Sequence, residues 1–254
     1  MIGTKRGGDQ HLWRRSWNSG RSPLGDEARA SVWRQSLSVG LATGAYGVSF
    51  GALSVAAGLS VAQTCVLSLL LFSGGSQFAV IGVAASGGSG PSAVATAALL
   101  GVRNGIYGLQ LAPVLGVRGP RRAAAAQLTI DESTAVGTAQ LTTHPERPEL
   151  ARLGFWVTGV AVFVGWNAMT LLGAVVGDAL GDPRRYGLDA AASGAFLALL
   201  WPRLRDAGTR RVAAAAALVA LAAVPLTPAG VPVLAAAAVA LALGLVVARR
   251  EGAA

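Results

Sequence analysis

The 254 residues contain a single lysine, Lys5, a single cysteine, Cys65, and two histidines, His11 and His144. One thiol cannot close an intramolecular disulfide or build a cysteine metal cluster, and two histidines do not by themselves make a metal centre. With Lys5 as its only lysine the chain has no phosphate-cradling loop of the GxxxxGK[ST] type, and so no ATP site of its own. His11 falls in a polar tail and His144 in a loop, so no serine, histidine and aspartate assemble as a hydrolase needs. These shortages leave no catalytic residue, no metal site and no cofactor to assign, and the chain reads as a non-enzyme.

Charge is also scarce, at 13% of residues against 53% hydrophobic, where soluble domains carry about 25% charged residues. Residues 35 to 102 hold no Asp, Glu, Lys or Arg, and two further uncharged runs cover Leu153 to Gly177 and Val212 to Ala248. At ~1.5 Å per helical residue the first run alone crosses a ~30 Å hydrocarbon layer more than twice. A soluble helical core needs a polar face on every turn, which these runs lack. A membrane β-barrel needs alternating ten-residue segments, which blocks such as VAAAAALVALAAV do not offer. The expected class is an all-α, polytopic integral membrane protein.

The net charge of +9 comes mostly from arginines in the tails and between the apolar runs. That placement suits lipid headgroups and membrane topology, not nucleic acid. Residues 1–31 are expected to form a polar, basic, disordered tail on the cytoplasmic side, without the apolar stretch of a signal peptide. Residues 32–248 form the transmembrane body and 249–254 a short tail. Within the body, eight apolar segments are expected at 33–58, 61–85, 91–116, 124–141, 153–178, 187–202, 209–224 and 231–248, separated by Gly- and Pro-rich joints. Eight crossings place Arg118, Arg121 and Arg122 outside, against the positive-inside rule. A re-entrant segment 2 or 4, which would leave seven crossings, is the alternative.

Polar residues interrupt this apolar background at a few points. Residues 72–80 read FSGGSQFAV. Glycine costs about 1 kcal/mol relative to alanine inside a helix, and a freed backbone group in hydrocarbon costs several more unless something meets it. A helix break facing a cavity explains the pattern, since transporters bind solutes at such breaks near the membrane midplane. Ser73, Gly74, Gly75, Ser76 and Gln77 are the candidate substrate-binding residues there, although Gly74 and Gly75 alone fit close helix packing equally. The small-residue face of GLATGAYGVSFGALS, 40–54, is read as packing, with Tyr46 and Ser49 as further pocket liners.

In segment 3, Arg103 sits mid-span, where an arginine costs ~2.5 to 3.5 kcal/mol and so turns inward to a partner. Asn104 and Tyr107 accompany it. Segment 4 carries Asp131 and Glu132. Adjacent helical residues point ~100° apart, so one acid pairs with Arg103 while the other meets a substrate ammonium or carries a proton. A surface helix with its acids at the headgroups is the competing reading.

The succession FSGGSQFA, VRNGIYGLQLAP, DEST and LDAAASGAFLALLWPRL resembles the azaleucine-resistance permease family (AzlC-like), the large subunit of bacterial branched-chain amino-acid exporters. The resemblance runs from about residue 33 to 248. Family members typically show Arg-His where this chain has Arg103-Asn104, so no proton role for a histidine carries over. The resemblance implies efflux of branched-chain amino acids and analogues and a small, separately encoded partner membrane subunit (AzlD-like). It also implies residence in a bacterial plasma (inner) membrane. Two other readings remain: a non-transporting assembly subunit, and a membrane-embedded enzyme built on Asp131 and Glu132.

Overall fold

A computed structural model of the chain describes residues 23–180, 197, 200–228 and 230–251, and their regular structure is entirely helical. Helix α1 spans Pro23–Ala56, α2 Val61–Leu70, α3 Gly74–Ala85, α4 Gly90–Leu115, α5 Pro120–Gln127, α6 Asp131–Thr143 and α7 Pro148–Leu180. A 3₁₀ turn at Trp201–Arg205 leads into α8, Ala207–Ala223, and α9, Val231–Glu251. Two of these, α1 over Gly25–Ala56 and α7, are long and apolar enough to cross a membrane. At 33 residues α7 is ~50 Å long, so it projects beyond a ~30 Å hydrocarbon layer or lies tilted in it. Large apolar side chains point away from the bundle, Leu41 and Leu109 each being 78% exposed.

Local chemistry explains where the helices begin and end. Ser60 and Gln63 form a reciprocal capping box at the start of α2. Ser89 accepts from the Ser92 N–H ahead of α4, which ends at Gly116 in the left-handed region, φ 61°. Asp206 caps α8 by accepting from the Thr209 N–H at 2.6 Å, and that N–H holds its carboxyl below the usual carboxylate range.

The structure moves several expected boundaries. Helix α1 starts at Pro23, so residues 23–31, expected to lie in a disordered tail, are helical; residues 1–22 lie outside the described part. The same is true of most of the expected segment at 187–202, and with it most of LDAAASGAFLALLWPRL. Segment 2 is two helices, α2 and α3, separated by residues 71–73, where a break was expected. Segment 4, expected over 124–141, is also two helices, α5 and α6, separated by residues 128–130.

The most intimate helix pair is α1 with α7. A Cβ built on Gly40 would lie 2.5 Å from that of Ala161, one on Gly44 would lie 3.0 Å from the Gly165 backbone, and one on Gly177 2.9 Å from Ala52 Cα. Those on Gly51 and Gly173 would strike the carbonyl oxygens of Thr170 and Val48. Only a missing Cβ permits this approach, and close small-residue contact is the means by which apolar helices associate without water to drive them. The partners ascend together along both chains, so α1 and α7 run parallel.

Replacing Gly173 with valine should lower the midpoint of thermal unfolding in detergent, followed by tryptophan fluorescence, at an overpacking cost of about 1 to 3 kcal/mol. Replacing Gly82 with alanine, where nothing lies within 4 Å of the added carbon, should leave the midpoint unchanged or raise it, by the helix propensity gained.

Candidate functional site

Both breaks end facing the same space. After α2 ends, Ser73 is extended (φ −158°) and its side chain caps nothing. Its carbonyl accepts the Gln77 N–H at 2.9 Å, the first bond of α3, which leaves the N–H groups of Gly74, Gly75 and Ser76 as the uncapped positive end of a half-helix. After α5 ends, Ile130 is extended (φ −128°) and α6 opens on Asp131 and Glu132. A cavity of about 360 Å³ lies between the two starts, lined by residues 72–75 and 130–132 together with side chains of α1, α4 and α7.

The breaks are braced from outside that cavity. Gln77, fully buried, donates its amide N–H to the Ser68 carbonyl at 3.2 Å, and Gln127 donates to the Leu69 carbonyl at 2.8 Å. Both amides therefore answer carbonyls in the last turn of α2, which lack helical partners. At the second break the Ser133 hydroxyl donates to the Leu128 carbonyl at 2.6 Å and accepts the Ile130 N–H at 3.1 Å. The Ser76 hydroxyl donates to the Ala97 carbonyl at 2.9 Å and fastens α3 to α4.

Arg103 projects from the middle of α4 to Asp131, with Nη2 2.9 Å from Oδ2, and the pair remains about one third exposed. The Tyr107 hydroxyl donates to the other oxygen of Asp131 at 3.0 Å. A Cβ on Gly75 would lie 3.0 Å from Arg103 Nη2, so the guanidinium rests over the start of α3, close against the glycine backbone. Glu132 faces the cavity with the Thr43 hydroxyl beside its carboxyl. The remaining wall is aromatic. Tyr46, Phe50, Phe78 and Trp166 form a cluster with ring centroids 5.6–6.3 Å apart, and three of them, Tyr46, Phe78 and Trp166, line the space. Trp166 is 4% exposed, yet its Nε1 has no hydrogen-bond partner; Asn104 Oδ1 and the Tyr46 hydroxyl are likewise unpartnered.

Of the residues expected from sequence to bind substrate, Ser73, Gly74, Gly75, Arg103, Asn104, Asp131 and Glu132 line this cavity. Ser76, Gln77 and Tyr107 do not, being turned to a helix carbonyl, a helix carbonyl and Asp131 respectively. Ser49, proposed as a pocket liner, is not part of the wall, whereas Tyr46 is. Sequence reading missed Thr43, Phe72, Phe78, Val162 and Trp166. The glycines around Trp166 carried the only hint, Gly165 packing on Gly44 and fixing which way that face turns.

Chemically the arrangement offers one guanidinium and a bare helix N-terminus for an anion, two carboxylates for a cation, and an apolar wall between. A double-mutant cycle of Arg103→Gln and Asp131→Asn should return a coupling of about 1 to 2 kcal/mol in thermal stability, the range of hydrogen bonds to charged groups in a half-exposed setting. Tyr107→Phe should cost about 1 kcal/mol or less.

A family model described as AzlC protein matches residues 38–180. No curated protein and no solved structure matches the chain. The matched stretch covers more than half of the sequence and contains both helix breaks, the ion pair and every residue of the cavity wall. This chain therefore belongs to the AzlC protein family.

Proposed function

We propose that the protein is a secondary transporter exporting branched-chain amino acids and analogues across a bacterial plasma membrane, acting with a small hydrophobic membrane subunit. The observation that carries this reading is the pairing of opposite charges on one side of an aromatic cavity. A free amino acid is a zwitterion with an apolar side chain, and each part of it has a counterpart here. The carboxylate meets the Gly74 and Gly75 N–H groups and the Arg103 guanidinium, an arrangement in which helix N-termini and arginine both favour anions. The ammonium meets Asp131 or Glu132. A branched side chain lies against Tyr46, Phe78, Val162 and Trp166, and Trp166 Nε1 and Asn104 Oδ1 are spare donor and acceptor for polar atoms or water.

The cavity bears on size as well. Ligand sites commonly enclose ~300 to 1,000 Å³, so a space of about 360 Å³ sits near the small end and suits a single amino acid over a peptide. Released backbone at membrane depth is tolerated only where it borders protein or water, which is how two broken helices come to surround such a site. The parallel α1 and α7 then act as one pillar against which the half-helices are set. We take 32–248 as the permease body, multi-pass with segments 2, 3 and 4 all crossing, and 1–31 and 249–254 as cytoplasmic tails.

Cells loaded with dipeptides of leucine, isoleucine or valine should release those amino acids faster when this chain and its partner subunit are expressed; equal release would refute the proposal. Arg103→Gln should cut that efflux at least tenfold, as about 1.4 kcal/mol or more of lost binding requires, at unchanged membrane abundance. If the variant instead loses the partner while transport persists, the chain is an assembly subunit. For the topology, in a Cys65→Ala background, a cysteine at position 118 should be labelled by an impermeant maleimide from the face opposite to one at position 146.

A further inference from the structure

We propose that Glu132 is a shared proton and ammonium site, holding a proton in the empty carrier and surrendering it when the substrate ammonium arrives. This rests on the amino-acid reading above and assigns the ion that drives it.

The charge balance of the cavity points this way. Among the residues lining it, Arg103 is the one cation and faces two carboxylates. Asp131 takes the guanidinium through Oδ2 at 2.9 Å and the Tyr107 hydroxyl through Oδ1 at 3.0 Å, so both its oxygens are engaged. Adjacent positions on α6 diverge by ~100°, and Glu132 is turned out of that pair into the open space. Around it, α1 presents Thr43 and Tyr46, α4 presents Arg103 and Asn104, α6 presents Asp131, and α3 and α7 present Gly74, Gly75, Phe78, Val162 and Trp166. None of these supplies a second positive charge. A carboxylate in such a wall is neutralised by a proton or by an arriving cation. That the site awaits a ligand has separate support in Trp166, a residue of the cavity wall that is 4% exposed and whose Nε1 has no partner.

The exchange balances. The O–H bond of the Glu132 carboxylic acid breaks and its proton passes to water on the cytoplasmic side. The ammonium keeps its three N–H bonds and donates to the carboxylate left behind. On the outer side the amino acid leaves and a proton from that water restores the acid. Proton and substrate never occupy Glu132 together, so each amino acid exported is matched by one proton entering. The zwitterion brings no net charge, so the cavity carries one more negative charge when loaded than when empty.

The test is titration of the purified full chain with leucine, isoleucine and valine between pH 5 and 9, in pairs of buffers of different ionisation enthalpy. Wild-type protein should release close to one proton per bound amino acid toward the acidic end, its affinity falling about tenfold per pH unit there. Glu132→Gln should bind more weakly, independently of pH and without release, and Glu132→Asp, which restores a carboxyl, should restore release. Binding by wild-type protein with no proton release would overturn this inference alone, as would release that persists in Glu132→Gln. Should the glutamine variant bind nothing, wild type and Glu132→Asp decide in the same sense. If wild type binds none of the three amino acids, the substrate reading falls, and this inference with it.

Discussion

In apolar surroundings every backbone N–H and C=O must find a partner, because water is not there to serve as one. A continuous helix satisfies that demand internally, and a broken one does not. The breaks at residues 71–73 and 128–130 release polar groups at two places, and much of the polar side-chain chemistry in the described bundle answers them. Gln77 and Gln127 are spent on consecutive carbonyls of one helix end, Ser68 and Leu69. Ser133 closes the second break with both a donated and an accepted bond. What stands out after these partners are subtracted is the start of α3, whose first amides receive no cap. An uncapped helix start with glycine at its first two positions is costly unless a ligand completes it.

Breaks of this kind need something rigid beside them, and α1 with α7 provides it. Glycine meets glycine or carbonyl along most of the shared length, from Gly40 opposite Ala161 to Gly177 opposite Ala52. Such an approach leaves little freedom for sliding, since a shift of one residue would set side chains where there is no room for a Cβ. The same two helices deliver Thr43, Tyr46, Val162 and Trp166 to the cavity. Their seam therefore sets the distance between the aromatic wall and the half-helix ends, and steric fit within α1 and α7 is transmitted to the site.

How much of this was legible in the residues differs from element to element. The break after α2 could be read because Ser-Gly-Gly-Ser-Gln contradicts both helix propensity and hydrocarbon, so no continuous helix accounts for it. The break after α5 left no such mark. Leu128, Thr129 and Ile130 look like ordinary apolar helix, and what stops the helix is Ser133 accepting the Ile130 N–H, a contact between residues three apart that no composition announces. Arg103 is expected to pair with one of the two acids, being opposite charges in an uncharged setting, but spacing leaves open which; it is Asp131 that it meets. Gln77 was misjudged for a physical reason: a polar side chain beside a break has two possible duties, serving the ligand or serving the chain's own carbonyls, and spacing cannot distinguish them. Trp166 was invisible because its importance comes from where a glycine seam turns it, not from its neighbours in sequence.

The adjacency of Asp131 and Glu132 looks at first like redundancy. Two carboxylates sharing a single ligand would be held side by side, as pairs that divide one proton are. Consecutive helical positions do the opposite, separating their side chains by ~100°. One acid is thereby committed to Arg103 and Tyr107 and fixes the α4 to α6 contact, while the other faces the cavity beside the Thr43 hydroxyl. Their position in the first turn of α6 suits this division, since the positive end of the helix favours negative charge there. The opposite half-helix, α3, carries no acid in its first turn and so keeps its positive end available. Two helix starts facing one space would ordinarily make it attract anions alone. Placing acids at one of them, and leaving the other bare, turns the same backbone geometry into a site with two poles, as the proposed zwitterionic substrate requires.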